Sequence, residues 1–115
     1  MNMAAYTVRI ECEEDAVLRE VEEWLCEGHI QAVLACGAVR ADLVDMEVSG
    51  SRVLEVRYVF ATQEEYARYI LEHAPRLRED GLRRFGPQRG VRMSRTEGVL
   101  VAFEGEVGRR GDEVR

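Results

Sequence analysis

The hydrophobic period of this chain switches from two to 3.6 and back again, twice, and few folds accept that succession. Residues 5–12 alternate without a break, with Tyr6, Val8, Ile10 and Cys12 on one face and Thr7, Arg9 and Glu11 on the other. That is the pattern of a strand with one dry face. Glu13, Glu14 and Asp15 follow, and carboxylates suit the positive end of a helix. Val17, Leu18, Val21, Trp24 and Leu25 then recur at helical spacing, as one apolar stripe requires. Gly28 weakens the helix, Ile30, Val33 and Leu34 extend its apolar face, and Gly37 is a natural terminator. One long helix, bent near Gly28, is expected.

Ala38 to Val48 and Arg52 to Ala61 read as two strands joined by a hairpin at Ser49, Gly50 and Ser51. The second presents Leu54, Val56, Tyr58 and Phe60 on one face and Glu55 and Arg57 on the other. Thr62-Gln63-Glu64-Glu65 is a capping box, and Tyr66, Tyr69, Ile70, His73 and Leu77 follow at helical spacing. Pro75 lacks an amide hydrogen and is expected to interrupt this helix near Glu72. A further turn or two, Arg76 to Phe85, should end at Gly86. A last strand is expected over 91–103, strongest at Val99, Val101 and Phe103. The order strand, helix, strand, strand, helix, strand is the split βαβ pattern. The fold expected is therefore α+β and ferredoxin-like, with two helices on one face of a four-stranded antiparallel sheet. The sheet's other face must be wet or covered by a partner. Residues 1–104 form this domain, and residues 105–115 a charged, glycine-rich tail expected to be frayed.

Hydrophobic residues make up 46% of the chain and charged residues 33%, enough apolar material for a core. No apolar run approaches the roughly 20 residues that span a bilayer, and Met1 to Thr7 has no signal-peptide pattern. Cys12, Cys26 and Cys36 are an odd number and fit no disulfide framework. A soluble, cytoplasmic protein with free thiols and no membrane partner is expected. All sixteen basic residues are arginine, and the net charge is −6. From Arg76 to Arg95 seven arginines face Glu79 and Asp80, a net +5 that leaves −11 on the rest. So acidic a chain argues against nucleic-acid binding. The third strand also lacks the glycines of the RNA-recognition signature and carries Glu55 where backbone phosphates would be repelled.

Cys26-Glu27-Gly28-His29 resembles half of a zinc site, but no second short pair completes it, and no metal is expected. Tyr66, Tyr69 and His73 line one helical face with Arg76 just beyond. They could form an aromatic pocket with a titratable imidazole, which makes His73 and Tyr69 the candidate catalytic residues. Core packing explains the same stripe. Arg76, Arg78, Arg83 and Arg84 could hold an anion, or could pair with the acidic first helix. On the sheet face away from the helices, Arg9 and Glu11 meet Glu55 and Arg57 across the first and third strands. Arg9, Arg57, Tyr66 and Arg76 are thus the candidate ligand-binding residues. No nucleophile elbow, phosphate loop or dinucleotide fingerprint appears, and no cofactor is expected.

Three stretches carry a family resemblance: Glu23-Trp24-Leu25 with His29-Ile30 and Val33-Leu34-Ala35; Glu65-Tyr66-Ala67-Arg68-Tyr69-Ile70; and His73-Ala74-Pro75-Arg76-Leu77-Arg78 with Gly81-Leu82 and Arg84-Phe85-Gly86. Over roughly residues 5 to 103 the chain resembles a bacterial domain-of-unknown-function family, number 4286, itself similar to the dimeric α/β-barrel superfamily. Gln31 departs from it where a proline would follow His-Ile, which leaves the local bend open. The resemblance implies a fold and a homodimer but no reaction, since a shared fold says little about chemistry. The superfamily's haem-degrading members place a tryptophan on a strand, whereas Trp24 falls on the first helix. Two functions fit: a dimer that binds a small polar or anionic ligand, and a cofactor-independent monooxygenase- or isomerase-like enzyme using His73 and its neighbouring tyrosines.

Overall fold

The computed structural model of the chain describes residues 2–102. Its elements are β1 (Met3–Glu11), α1 (Asp15–Trp24), α2 (Ile30–Ala35), β2 (Ala38–Val48), β3 (Ser51–Phe60), α3 (Gln63–Glu72), α4 (Ala74–Phe85) and β4 (Arg92–Leu100). The strands form one antiparallel sheet in the order β2-β3-β1-β4. The expected ferredoxin-like succession is therefore present, with each of its two helices broken in the middle.

The first break follows Leu25, where Glu27 and Gly28 leave helical geometry and α2 restarts after His29. Gln31 stands beside the break, and its side-chain amide donates to the Cys26 carbonyl at 3.2 Å, an oxygen close to the interrupted ladder. The bend thus persists without the proline of the family pattern. The second break lies at His73, between α3 and α4. Pro75 sits in the first turn of α4, where its missing N–H costs nothing. The segment after it is a full 12-residue helix rather than a turn or two, because Ala74, Gly81 and Phe85 give it a buried face of its own. Thr62 caps α3 by accepting from the Glu65 amide at 3.0 Å. The Glu65 carboxylate, expected to reach back in a capping box, pairs with Arg68 instead.

Ser49 and Gly50 form the two-residue β2–β3 turn, both with positive φ, the backbone that lets a tight hairpin follow the strands' right-handed twist. Arg52 then clamps this hairpin to α1, reaching Asp15 at 2.9 Å, Glu22 at 2.6 Å and Asp45 at 3.0 Å. β4 is shorter than expected. It ends at Leu100, and Val101 lies beyond it, 89% exposed. The alternating pattern of Val99 and Val101 continues past the end of β1, where no partner strand remains. Phe103 and the tail 105–115 lie outside the described residues.

The core sits between the helices and one sheet face. Ala4, Tyr6, Ile10, Leu54, Val56, Tyr58 and Phe60 enter it from the two central strands, and Leu18, Val21, Leu25, Val33, Tyr69 and Phe85 from above. Phe60 has no exposed surface, and its ring lies 5.1 Å from Tyr69 and 5.3 Å from Tyr66. Phe60→Ala should cost about 3–5 kcal/mol, measured as a lower midpoint in urea unfolding.

Candidate functional site

The helical layer does not close completely on the sheet. A partly open cavity of about 30 Å³ lies between them. That is room for a water or two. β1 and β3 supply Tyr6, Val8, Tyr58 and Val56, and α3 supplies Tyr69. The helix break supplies His29, α4 supplies Leu77, Arg78 and Gly81, and β4 supplies Met93 and Arg95. No carboxylate lines it.

The break at Gly28 turns His29 back onto Trp24, with ring centroids 4.2 Å apart and planes within 26°. Gly81 lets α4 approach this stack: a Cβ there would lie 3.2 Å from the Trp24 ring. Burial lowers the His29 pKa below its ordinary 6.5; Asp80 opposes the shift and Arg95 reinforces it. The imidazole is therefore held neutral. Burial likewise raises the Tyr58 and Tyr69 pKa values, so both phenols keep their protons.

Arg78 is the unusual member. Its Nη2 donates to the Tyr6 hydroxyl at 3.2 Å. Its Nε is buried and has no hydrogen-bond partner among the described residues. The arginines around it are nearly all matched. Arg83 and Arg84 pair with Asp80, Arg89 with Glu20 of α1, and Arg92 with Glu11. The expected four-arginine anion site is thus divided: Arg83 and Arg84 are neutralised within α4, at the i+3 and i+4 spacing that favours such pairs. No carboxylate pairs with Arg78 among the described ion pairs, although the side chain is half-buried and a buried donor left without an acceptor is costly.

The residues singled out from the sequence fall on two sides of the sheet. Tyr69 lines the cavity. Tyr66 does not; its hydroxyl donates to Glu97 on β4, and burial, with that bond second, raises its pKa. His73 stands at the α3–α4 break, 6.4 Å from Tyr69 between ring centroids. Its Nδ1 is buried without a partner among the described residues, but it is not a wall of the cavity. Arg76 is exposed, its Nη2 3.8 Å from the Cys36 sulfur. Arg9 and Arg57 lie on the far face. There Arg9 pairs with Glu55 directly opposite at 3.3 Å and with Glu11 at 3.3 Å, and Arg57 pairs with Glu55 at 2.9 Å. Glu11 pairs onward with Arg92 at 3.1 Å, not with Arg57, because the register sets Glu11 opposite Val53. His29 and Arg78, which complete the cavity, come from separate helices, and no local spacing joins them.

The three thiols are free: Cys12 is buried, Cys36 half-buried and Cys26 exposed. Among the described residues no cluster of three or more His, Cys, Asp or Glu side chains is placed to hold a metal ion.

The family model for a domain of unknown function, DUF4286, matches residues 3–98. The chain belongs to that family. No curated protein matches it. Among solved structures it is similar to a dimeric ferredoxin-like protein from an uncultured marine organism, with a TM-score of 0.68 at 9% identity over 90% of this chain and all of the other. A protein of unknown function from Nitrosomonas europaea gives 0.60 at 15% identity, over 94% of this chain and 98% of the other. SnoaB, a cofactor-independent oxygenase from Streptomyces nogalater, gives 0.57 at 13% identity, over 91% and 97%. At such identities these likenesses show that this DUF4286 member shares their fold.

The depressed His29 pKa has a consequence for stability. As pH falls through the ordinary 6.5, the unfolded chain takes up a proton that the folded chain resists, so folding weakens. From about pH 7.5 to about pH 5.5 the melting temperature should therefore fall more in the wild type than in His29→Gln, as read by differential scanning calorimetry.

Proposed function

We propose that this protein is a homodimer that binds a small anionic molecule in the cavity between its helices and its sheet. The observation that carries this reading is Arg78: a guanidinium with a buried, unpartnered Nε, in a cavity that no carboxylate lines. An anion would supply the missing charge and the missing acceptor together. Tyr6, Tyr58 and Tyr69 add neutral phenols, and Arg95 adds an exposed cation at the mouth.

The dimer is supported by the sheet's other face. Val53 lies on it, outside the main core cluster, yet is only 4% exposed. At one end Met3, Val39, Val59 and Leu100 line a shallow apolar depression of about 390 Å³ together with Arg40 and Asp42. Between these apolar patches run the ion pairs of Arg9, Glu55 and Arg57, already matched within one chain. Two such faces can meet without stranding a charge. The dimeric ferredoxin-like protein from the marine organism adds support from fold alone. Free thiols fit a reducing cytoplasm, and no helix among the described residues is long and apolar enough to cross a membrane.

A second reading uses the same cavity for catalysis. The neutral His29 imidazole, beside Tyr58 and Tyr69, has the protonation state of a general base. An isomerase or a cofactor-independent oxygenase would need such a base to take a proton from a carbon acid. In this reading His29 replaces His73 as base, and Tyr69 keeps its place.

Phosphate or acetate should raise the melting temperature above that in chloride at matched ionic strength, and Arg78→Gln should abolish the increment. Equal melting temperatures in the wild type would remove the anion-binding reading. Light scattering at micromolar concentration should show a dimer in both proteins.

A further inference from the structure

We infer that the chain's own segment after β4 folds back over the open sheet face and seats Phe103 in the apolar depression lined by Met3, Val39, Val59 and Leu100. The inference is independent of the anion-binding reading, since it concerns the other face of the sheet and needs no ligand.

The depression depends on a bulge. Ala38 pairs with Phe60 and Arg40 with Val59, so Val39 is an extra residue in β2. A bulge re-aims the side chain it inserts, and Val39 lines the depression while 56% exposed. Met3 and Leu100 face each other across β1 and β4, and Val59 stands opposite Ala5 in the next ladder. Apolar side chains from all four strands thus share one open patch of about 390 Å³, on the side away from the helices. Its polar wall residues, Arg40 and Asp42, pair with each other at 3.1 Å.

Reach selects the occupant. Leu100 is both a wall of the depression and the last residue of β4. An extended chain covers at most about 3.3–3.6 Å per residue, so Phe103 stays within about 10 Å of Leu100. A group tethered this closely meets its site at a roughly millimolar effective concentration, which a second copy must match by association. The sequence after Leu100 is Val101-Ala102-Phe103, apolar throughout, and then Glu104-Gly105-Glu106. A strand running straight on would carry these apolar residues past Met3, where β1 begins, and into water. A turn back over Leu100 instead sets the Phe103 ring on apolar side chains and returns the acids to solvent, the direction that hydrophobic burial favours. The seated segment leaves the rest of the face to the partner: Val53 lies opposite Glu11, at the far end of β1 from Met3.

NMR on the purified full chain tests this. Phe103 is one of three phenylalanines, so its ring signals are assigned by substitution. Nuclear Overhauser contacts are expected from the Phe103 ring to the methyl groups of Val39 and Val59. In a mixture of isotope-labelled and unlabelled protein they should arise within one chain. Phe103→Ser should abolish these contacts, shift the Val39 and Val59 methyl signals and lower the melting temperature. Phe103→Leu should keep contacts from its own methyl groups to Val39 and Val59, and Val107→Ser should leave the Phe103 contacts unchanged. Contacts found between chains rather than within one would overturn the inference in favour of an exchanged segment. So would the absence of any contact with the Val39 and Val59 signals unmoved by Phe103→Ser, a result that leaves the depression to the partner's sheet.

Discussion

Everything in this fold depends on the pairing of β1 with β3 at the centre of the sheet. The register sets Tyr6 opposite Tyr58, Val8 opposite Val56 and Ile10 opposite Leu54, and on the other side Arg9 opposite Glu55. Because side chains alternate along a strand, a slip of one residue would send the apolar set to solvent and the charges into the core. The same register therefore builds both working surfaces. Its even-numbered residues floor the cavity under the helices. Its odd-numbered residues form the salt-bridged face that we assign to the dimer.

Arginine does different work on these two surfaces. On the open face Arg9 and Arg57 share Glu55, whose side chain is 14% exposed, and Arg92 closes the chain on Glu11. Such pairs are worth little singly, but they let a sheet face carry charge without an unmatched group. Arg52 does a structural task between α1 and the hairpin. Arg78 does neither, since it reaches a phenol and leaves Nε unused. In a chain of net charge −6, a half-buried arginine with a buried, unpartnered Nε and no carboxylate among the described ion pairs stands out, and a ligand would explain it.

The fold was legible in the sequence because periodicity is a local signal. Tyr6 to Cys12 and Leu54 to Phe60 announce two strands with a dry face, and the structure has them. Pro75 announces the end of α3 at Glu72. The end of β4 was not legible, since Val101 continues the alternation of Val99 but lies beyond Leu100, which already pairs with Met3 at the start of β1. The length of α4 was also underestimated, because its buried face relies on Gly81 and Phe85, one of them without a side chain. The site was legible only in part. Tyr69 belongs to a visible aromatic stripe, but that stripe also contains Tyr66 and His73, which the break at His73 and the bond to Glu97 take elsewhere. His29 and Arg78 meet only because two separate helix breaks fold them over the same patch of sheet. Arg9 and Arg57 were read correctly as a charged pair of strands, and they are remote from the cavity.

The central claim is a division of labour: ligand between helices and sheet, partner on the opposite face. Amide and side-chain nitrogen shifts, followed by NMR during an acetate titration, test it most directly. The account predicts large changes at the Arg78 Nε–H and the Trp24 indole N–H, with Arg9, Glu55 and Arg57 amides little moved. Changes centred on Arg9, Glu55 and Arg57, with Arg78 and Trp24 unmoved, would contradict it.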